Sequence, residues 1–381
     1  MFRIGIITQY YNSSNFGGLL QAYALCEYLN SKGYESKQIV YNQYASWTDL
    51  TKKGNKENKL QAFAIRKFIN LLAKVNNRVH GVSDLRTRRR DACKGFRENI
   101  PHTDKLYDET NIAECVNDFE AFITGSDQVW RPSMFCPAFF LSFVDGSVKP
   151  KISYAASVNS DLSDSKVRSI YAELLKDFTT ISVREEKDTK VIQSISKVPV
   201  HWAIDPVFLL SEKQWKEKFQ ASGIKDPFIF CYFLGDGLKE RELAEEYAGK
   251  HHLKIVTIPY MKKNYRKCDR TFGDVRLIDV SPNLFLSLIN ESKYVFTDSF
   301  HASAFSIIFK KSFVVFERDD HPEMSERIVS LTSLFRCEER YCNNSQKKNL
   351  QYIETLNNRN IEYKTSEFDI LQKESKRILD I

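Results

Sequence analysis

FRIGIITQYYNSSNFGGLLQAYALCEYLNSKGYESKQIVY, residues 2–41, contains one complete structural unit. Residues 2–8 are a short apolar, β-branched run, the composition of a buried strand. A polar loop, QYYNSSN, leads from it to Gly17-Gly18. In the LLQAYALCEYLNSKGY that follows, Leu19, Leu20, Tyr23, Ala24 and Leu25 share one helical face, and Gly33 supplies a C-terminal stop. Residues 36–41 read as a second strand. Strand, helix and strand in this order make a βαβ unit, which opens a doubly wound parallel sheet.

The same alternation runs on through the chain. Strands are expected at residues 119–124, 152–156, 179–183 and 198–204. PFIFCYFLG from Pro227 opens a second series, with further strands in KIVTIPY, KYVFTD and SFVVFER. Helices lie between them in LKERELAEEYAGKHH, in SPNLFLSLINESK and from Ser299 onward. Two Rossmann-like α/β lobes facing each other across a cleft are therefore expected. The first covers residues 1–222 and the second 223–360, with an amphipathic helix at 361–381. Residues 50–110 break the rhythm: TKKGNKENK is polar, the run at 60–75 is amphipathic and RTRRR at 86–90 is basic. That segment reads as a helical insertion in the first lobe.

With 381 residues the chain has room for two domains and for cores that need no disulfide or metal staple. Fourteen Gly and ten Pro exclude collagen-like and low-complexity classes. The net charge of +7 suits an anionic substrate but is too weak to indicate nucleic-acid binding. No two of the eight cysteines form CxxC, so no zinc site is expected. The opening MFRIGIITQYY lacks a signal-peptide pattern and no run of about 18 apolar residues occurs. These features lead to the expectation of a cytoplasmic protein. Arg86, Arg88, Arg89 and Arg90 beside the amphipathic run could rest on the inner face of an anionic membrane. An ordinary solvated helix face is the favoured alternative.

In open α/β sheets ligands sit beyond the carboxyl ends of the strands, so the polar residues there are the candidates. Residues 294–296 are followed by Thr297-Asp298-Ser299-Phe300-His301. Asp298, Ser299 or Thr297 can cap the next helix, and His301 then stands in its first turn beside free amides. That is an anion site with a titratable imidazole, or equally a capped helix with a structural histidine. Arg184 follows the strand at 179–183 and can clamp a carboxylate or phosphate, unless Glu185, Glu186 or Asp188 takes it as an ion pair. Asp127, in the turn Gly125-Ser126-Asp127, can orient a hydroxyl or act as a base; the plain alternative is a turn residue. The loop Asn15-Phe16-Gly17-Gly18 can present backbone N–H groups, and Arg327 in MSERI is a further anion-binding candidate. GxGxxG, the P-loop, HExxH and GxSxG are all absent.

Taken together, NFGGLLQAYAL, AFITGSDQVWRP, KISYAAS, ISVREE, AIDPVFLL and TDSFHASAFSIIF resemble the polysaccharide pyruvyltransferase family over about residues 1–335. The resemblance implies a two-lobed, glycosyltransferase-B-like fold. It implies transfer of a pyruvyl group from phosphoenolpyruvate to a sugar, as a cyclic ketal, with release of phosphate. The acceptor could be lipid-linked, nucleotide-linked or polymeric, and no cofactor or metal is implied. The family's histidine and arginine fall on His301 and Arg184. Ser303-Ala304 stands where the family carries Gly-Thr, and Glu186 where Lys is usual. On this reading His301 is the general acid/base and Asp127 handles the sugar hydroxyl. Arg184, with Asp298, Ser299, Asn15, Gly17 and Arg327, binds substrate. A sugar-nucleotide glycosyltransferase on the same scaffold and a non-catalytic glycan-binding protein are the alternatives.

Overall fold

In a computed structural model of the chain, residues 1–43, 47–51, 81–261, 265–318, 325–343, 347–359, 363 and 365–381 are described. The amphipathic run expected at 60–75 lies outside them.

The first sheet contains β1 (Arg3–Ile7), β2 (Glu35–Gln38), β3 (Ala121–Thr124) and β4 (Lys151–Ser153), in the order β2-β1-β3-β4. All its pairings are parallel. Single bridges from Ile152 to Thr180 and from Ala156 to Val183 carry it on to β5 (Ile181–Val183) and β6 (Val200–Trp202). The order reverses between β1 and β3, and their register, Ile7 opposite Thr124, ends both strands at one level. A doubly wound sheet opens its ligand crevice at such a point.

The second sheet has β7 (Phe228–Tyr232), β8 (Lys254–Thr257), β9 (Val275–Arg276), β10 (Tyr294–Thr297), β11 (Ser312–Phe316) and β12 (Tyr341–Cys342). Its order is β12-β11-β10-β7-β8-β9, again all parallel, with the reversal between β7 and β10. Every expected strand forms, most of them shorter than the apolar run that announced it. The two-residue strands β9 and β12 were not expected.

The described α-helices of the first half are α1 (Phe16–Ser31), α2 (Val82–Glu98), α3 (Ser165–Leu175), α4 (Glu186–Gln193) and α5 (Glu212–Lys216). Those of the second half are α6 (Leu238–His251), α7 (Lys267–Thr271), α8 (Pro282–Glu291), α9 (Phe300–Ile308), α10 (Glu326–Leu334), α11 (Leu350–Asn357) and α12 (Ser366–Arg377). Helix α1 starts earlier than its periodicity suggested. Gly17 and Gly18, expected in a loop, form its first turn. The reason is burial on all sides: residues 16–26 are buried without exception, so no single apolar stripe marks the start.

The lobes meet through aromatic packing. Phe16 stacks on Phe285 with centroids 4.9 Å apart. Trp215 lies against Tyr23 of the first lobe and Phe305 of the second. One continuous apolar cluster runs from α1 through Trp215 to α8 and α9. Helix α12 returns to the first half: Ser375 Oγ accepts from the Ile204 amide at 3.0 Å, and Gln372 donates to the Phe208 carbonyl at 2.8 Å.

Candidate functional site

Arg184 leaves β5 at its carboxyl end and turns inward, buried. Its Nε donates to Glu185 Oε1 at 3.0 Å and its Nη1 to Asp205 Oδ2 at 2.8 Å, with Asp127 Oδ1 3.9 Å away. The guanidinium lies 4.6 Å over the Phe300 ring, a cation–π contact across the lobe boundary. Burial alone would lower its pKa, but Glu185, Asp205 and Asp127 together raise it. Nη2 has no partner. Of the three acids named as its ion-pair alternatives, Glu185 is the one that pairs with it; Asp205 is the other close partner, and one nitrogen of a permanent cation is left unspent.

Asp205 is the hub. It ends the segment after β6 and caps the short turn Pro206–Leu209, with Oδ1 accepting from the Val207 amide at 3.1 Å. Oδ2 accepts from Arg184 and, at 3.3 Å, from Ser126 Oγ. His301 Nε2 stands 3.7 Å from the same oxygen, close enough for charge attraction but short of a hydrogen bond. Burial pushes the Asp205 carboxyl upward, yet His301 and Arg184 outweigh it and hold the group well below the usual carboxylate range. Asp205 was noted in the sequence only within AIDPVFLL and was assigned no role. Its position before Pro206, level with Arg184, is the signal that could have found it.

His301 sits in the first turn of α9, as expected, and is buried, its Nε2 lacking a hydrogen-bond partner among the described residues. Its ring is wedged against the first turn of α1. A Cβ on Gly17 would lie 2.0 Å from His301 Nδ1, so only glycine fits there. Gly17 thus shapes the site by having no side chain, and the N-termini of two helices converge on one imidazole.

Asp127 adopts φ 71°, a left-handed conformation that Asp tolerates better than most residues. Its backbone carbonyl accepts from the Val129 and Ser157 amides at 2.8 and 3.0 Å, which pins the turn. The side chain faces Arg184 on one side and Asn15 on the other, where Asn15 Nδ2 lies 3.5 Å from Oδ2.

Arg327, from α10 of the second lobe, is buried, with no partner for Nε among the described residues. Burial first, then the nearby charge of Arg184, pushes its guanidinium down to about 10. Arg184 and Arg327 line one pocket, partly open to solvent, with Glu185, Asp205, Trp202 and Phe300. The structure therefore brings together Asn15, Gly17, Asp127, Arg184, His301 and Arg327.

Two of the expected residues differ. Ser299 caps α9, its Oγ accepting from the Ala302 amide at 3.4 Å, so it serves the helix. Asp298 is neither the cap nor part of the cluster. Its carboxylate turns into the β7–β10 crevice and accepts from the Leu234 and Gly235 amides at 2.7 and 2.6 Å. The basic block also departs from expectation. Arg86 donates to the Met261 carbonyl, Arg88 pairs with Asp279, and Arg89 donates to the carbonyls of Ile278 and Leu277. Three of the four arginines expected on a membrane or in water are bonded to the second lobe. No described helix is long and apolar enough to cross a membrane. Among the described residues no group of three or more His, Cys, Asp or Glu is placed to hold a metal ion.

The family model for polysaccharide pyruvyl transferase matches residues 15–320. No curated protein matches the sequence. Among solved structures, the UDP-GlcNAc 2-epimerase of Methanocaldococcus jannaschii in complex with UDP-GlcNAc and UDP is similar at 13% identity. It aligns with a TM-score of 0.55 over 98% of this chain and 99% of its own. The UDP-GlcNAc 2-epimerase of Neisseria meningitidis bound to UDP-GlcNAc is similar at 14% identity and a TM-score of 0.54, over 100% and 99% of the two chains. That of Rickettsia bellii gives 11% and 0.52, over 100% and 95%. At such identities the likeness shows the fold alone, two Rossmann-like lobes.

Proposed function

The chain belongs to the polysaccharide pyruvyl transferase family, and from that premise we propose that it moves a pyruvyl group from phosphoenolpyruvate to two hydroxyls of a sugar, forming a cyclic ketal and releasing phosphate. The acceptor is a sugar of a surface polysaccharide or of its lipid-linked or nucleotide-linked precursor. One observation carries the reading. Two buried guanidinium groups, from different lobes, each keep a nitrogen without a partner and line the same pocket. A buried cation left unsatisfied is costly, and a small dianion would satisfy both.

The chemistry follows from the residues. Phosphoenolpyruvate carries a carboxylate and a phosphate on three carbons, and Arg184 Nη2 and Arg327 Nε supply charge-assisted donors for them. His301 delivers a proton to the methylene carbon, which becomes the methyl group of the ketal. Cationic character builds at the central carbon, and one acceptor hydroxyl adds there. The second hydroxyl then displaces phosphate. Of the two hydroxyl protons, one restores His301 and the other leaves with phosphate, so the balance closes. An imidazolium at His301 finds its counter-charge on Asp205, 3.7 Å away. Asp127, held by Asn15 and facing Arg184, takes the proton of the second hydroxyl as it attacks and passes it to the departing phosphate. No step calls on a cofactor, and phosphoenolpyruvate is the donor substrate.

The rival reading is a sugar-nucleotide glycosyltransferase. It needs a diphosphate clamp at the second lobe's crevice. There the amides of Leu234 and Gly235 already bond the Asp298 carboxylate, which would repel a diphosphate. The test is incubation with phosphoenolpyruvate across an acceptor panel, with nucleotide sugars in parallel. We expect phosphate release and an acceptor heavier by one pyruvate less one water. Turnover with a nucleotide sugar alone would overturn the reading.

A further inference from the structure

Behind Arg184 lies a second acid pair that the mechanism above does not use. Glu185 and Asp188 are both buried, Asp188 completely. They stand three residues apart at the start of α4, and the Asp188 amide donates to the Glu185 carbonyl at 3.0 Å. Residues so spaced share one side of a helical turn, which brings the two carboxyl groups together. Glu185 spends Oε1 on Arg184 Nε at 3.0 Å, and Asp188 spends Oδ2 on the Val158 amide at 3.3 Å. Each then has one oxygen left, Glu185 Oε2 and Asp188 Oδ1, buried and without a donor among the described residues.

Two carboxylates cannot satisfy each other, because neither has a hydrogen to give. One proton between them satisfies both orphan oxygens at once and removes the repulsion of two like charges in a dry interior. The position of that proton follows from the surroundings. Glu185 gives one oxygen to the permanent charge of Arg184. Facing Asp188 are Glu185 and the Val158 amide, and the nearest cation on its own helix, Lys187, points outward to Glu326.

The geometry points to Asp188 as a positioning residue for Arg184: it holds a proton on Glu185 Oε2, so that Glu185 meets Arg184 with one oxygen only and leaves Nη2 for the anionic substrate. Burial and the charge of Glu185 agree, pushing the Asp188 carboxyl up to about 8. Loss of that proton places a second negative charge behind Arg184. Glu185 swings from its neighbour, the guanidinium is drawn toward the acids, and an anion in the pocket meets a less favourable field. Affinity for the anionic substrate therefore falls above about pH 8, with catalysis by bound substrate much less affected.

The inference rests on the pyruvyl-transfer reading only for the identity of the anion, so the experiment has two arms. The first needs no ligand. A carboxyl held protonated in the fold but not in the unfolded chain stabilises the fold fully below the unfolded value of about 4, and this stabilisation is lost as pH rises through about 8. Wild-type melting temperature should carry that downward slope. Asp188→Asn, whose amide donates to Glu185 permanently, should lose it. Glu185→Gln, donating in the other direction, should lose it too and covers the case in which the first variant fails to fold. The second arm titrates phosphoenolpyruvate calorimetrically. Wild-type affinity should weaken about tenfold between pH 7 and pH 9.5, and Asp188→Asn should show no such change. Identical pH slopes of melting temperature in wild type and both variants would overturn the shared proton. A slope present in the first arm with affinity flat in pH would overturn its action on Arg184. Absence of phosphoenolpyruvate binding at every pH would instead count against the substrate assignment, and the first arm would still decide the proton.

Discussion

His301 has no room to choose its orientation. Gly17 closes one side of the ring, and the Nε2 edge faces Asp205. Two predictions belong here. His301→Gln keeps a polar side chain of similar size and removes the proton transfer. Turnover should fall by roughly 10²–10⁴-fold with melting temperature and donor affinity near wild type; wild-type turnover would reduce the residue to a structural role. Gly17→Ala puts a methyl 2.0 Å from Nδ1, so the imidazole must move. Its kcat should fall at least as far as that of His301→Gln, because a displaced acid misses the reacting carbon; steady-state kinetics on the folded variant checks this. At this scale the sequence is informative where a polar residue ends a strand. His301, Arg184 and Asp127 were legible for that reason. Asp298 was misread because Thr297, Asp298 and Ser299 are all good caps, and only tertiary structure decides that Ser299 does the capping. Gly17 was expected to serve through its amide; that it makes room for an imidazole could not be read, since the ring comes from 284 residues further along the chain.

Helix α2 behaves as a strap between the lobes. It belongs to the first half of the chain, yet Arg86, Arg88, Arg89 and Cys93 all bond to the segment 261–280 of the second. Arg89 also stacks over Phe16, 5.5 Å from the ring centroid, at the entrance to α1. Arg89→Met keeps the apolar stem and strips two carbonyls of their donor. It should cost about 1–3 kcal/mol, read as a lowered midpoint in urea. The same substitution should leave sedimentation with anionic vesicles unchanged; loss of salt-sensitive vesicle binding without loss of stability would restore the membrane reading. The basic run was misjudged because a charge block shows its composition but not its partners. Carbonyl groups at the end of a neighbouring lobe carry no signature in sequence. Helix α1 was placed correctly but started late, since a helix buried all round lacks the stripe that marks its ends.

Across the whole molecule the site exists only because two sheets end against each other. Asn15, Gly17, Asp127, Arg184 and Asp205 come from the first, and His301 and Arg327 from the second. The alternation of strand and helix made both lobes legible, because each buried parallel strand is a short apolar run bounded by turns. The return of α12 to the first lobe was not legible. An amphipathic helix records that one face is covered but not by what. Removal of residues 366–381 would strip the Ile204 amide of its acceptor beside Asp205 and expose Phe208 and Phe335. The truncated chain should melt well below the full one in a thermal scan, and equal melting temperatures would contradict that role. Activity should also survive dialysis against chelator, since anion binding and proton transfer account for each step.

The central claim is that the unspent nitrogens of Arg184 and Arg327 hold the donor. Calorimetric titration of phosphoenolpyruvate into wild type, Arg184→Lys and Arg184→Ala tests it most directly. We expect binding by wild type, a partial loss with Lys, which lacks the planar fork, and a loss of about 100-fold or more with Ala. Unchanged affinity in Arg184→Ala would contradict it and place the donor elsewhere in the cleft.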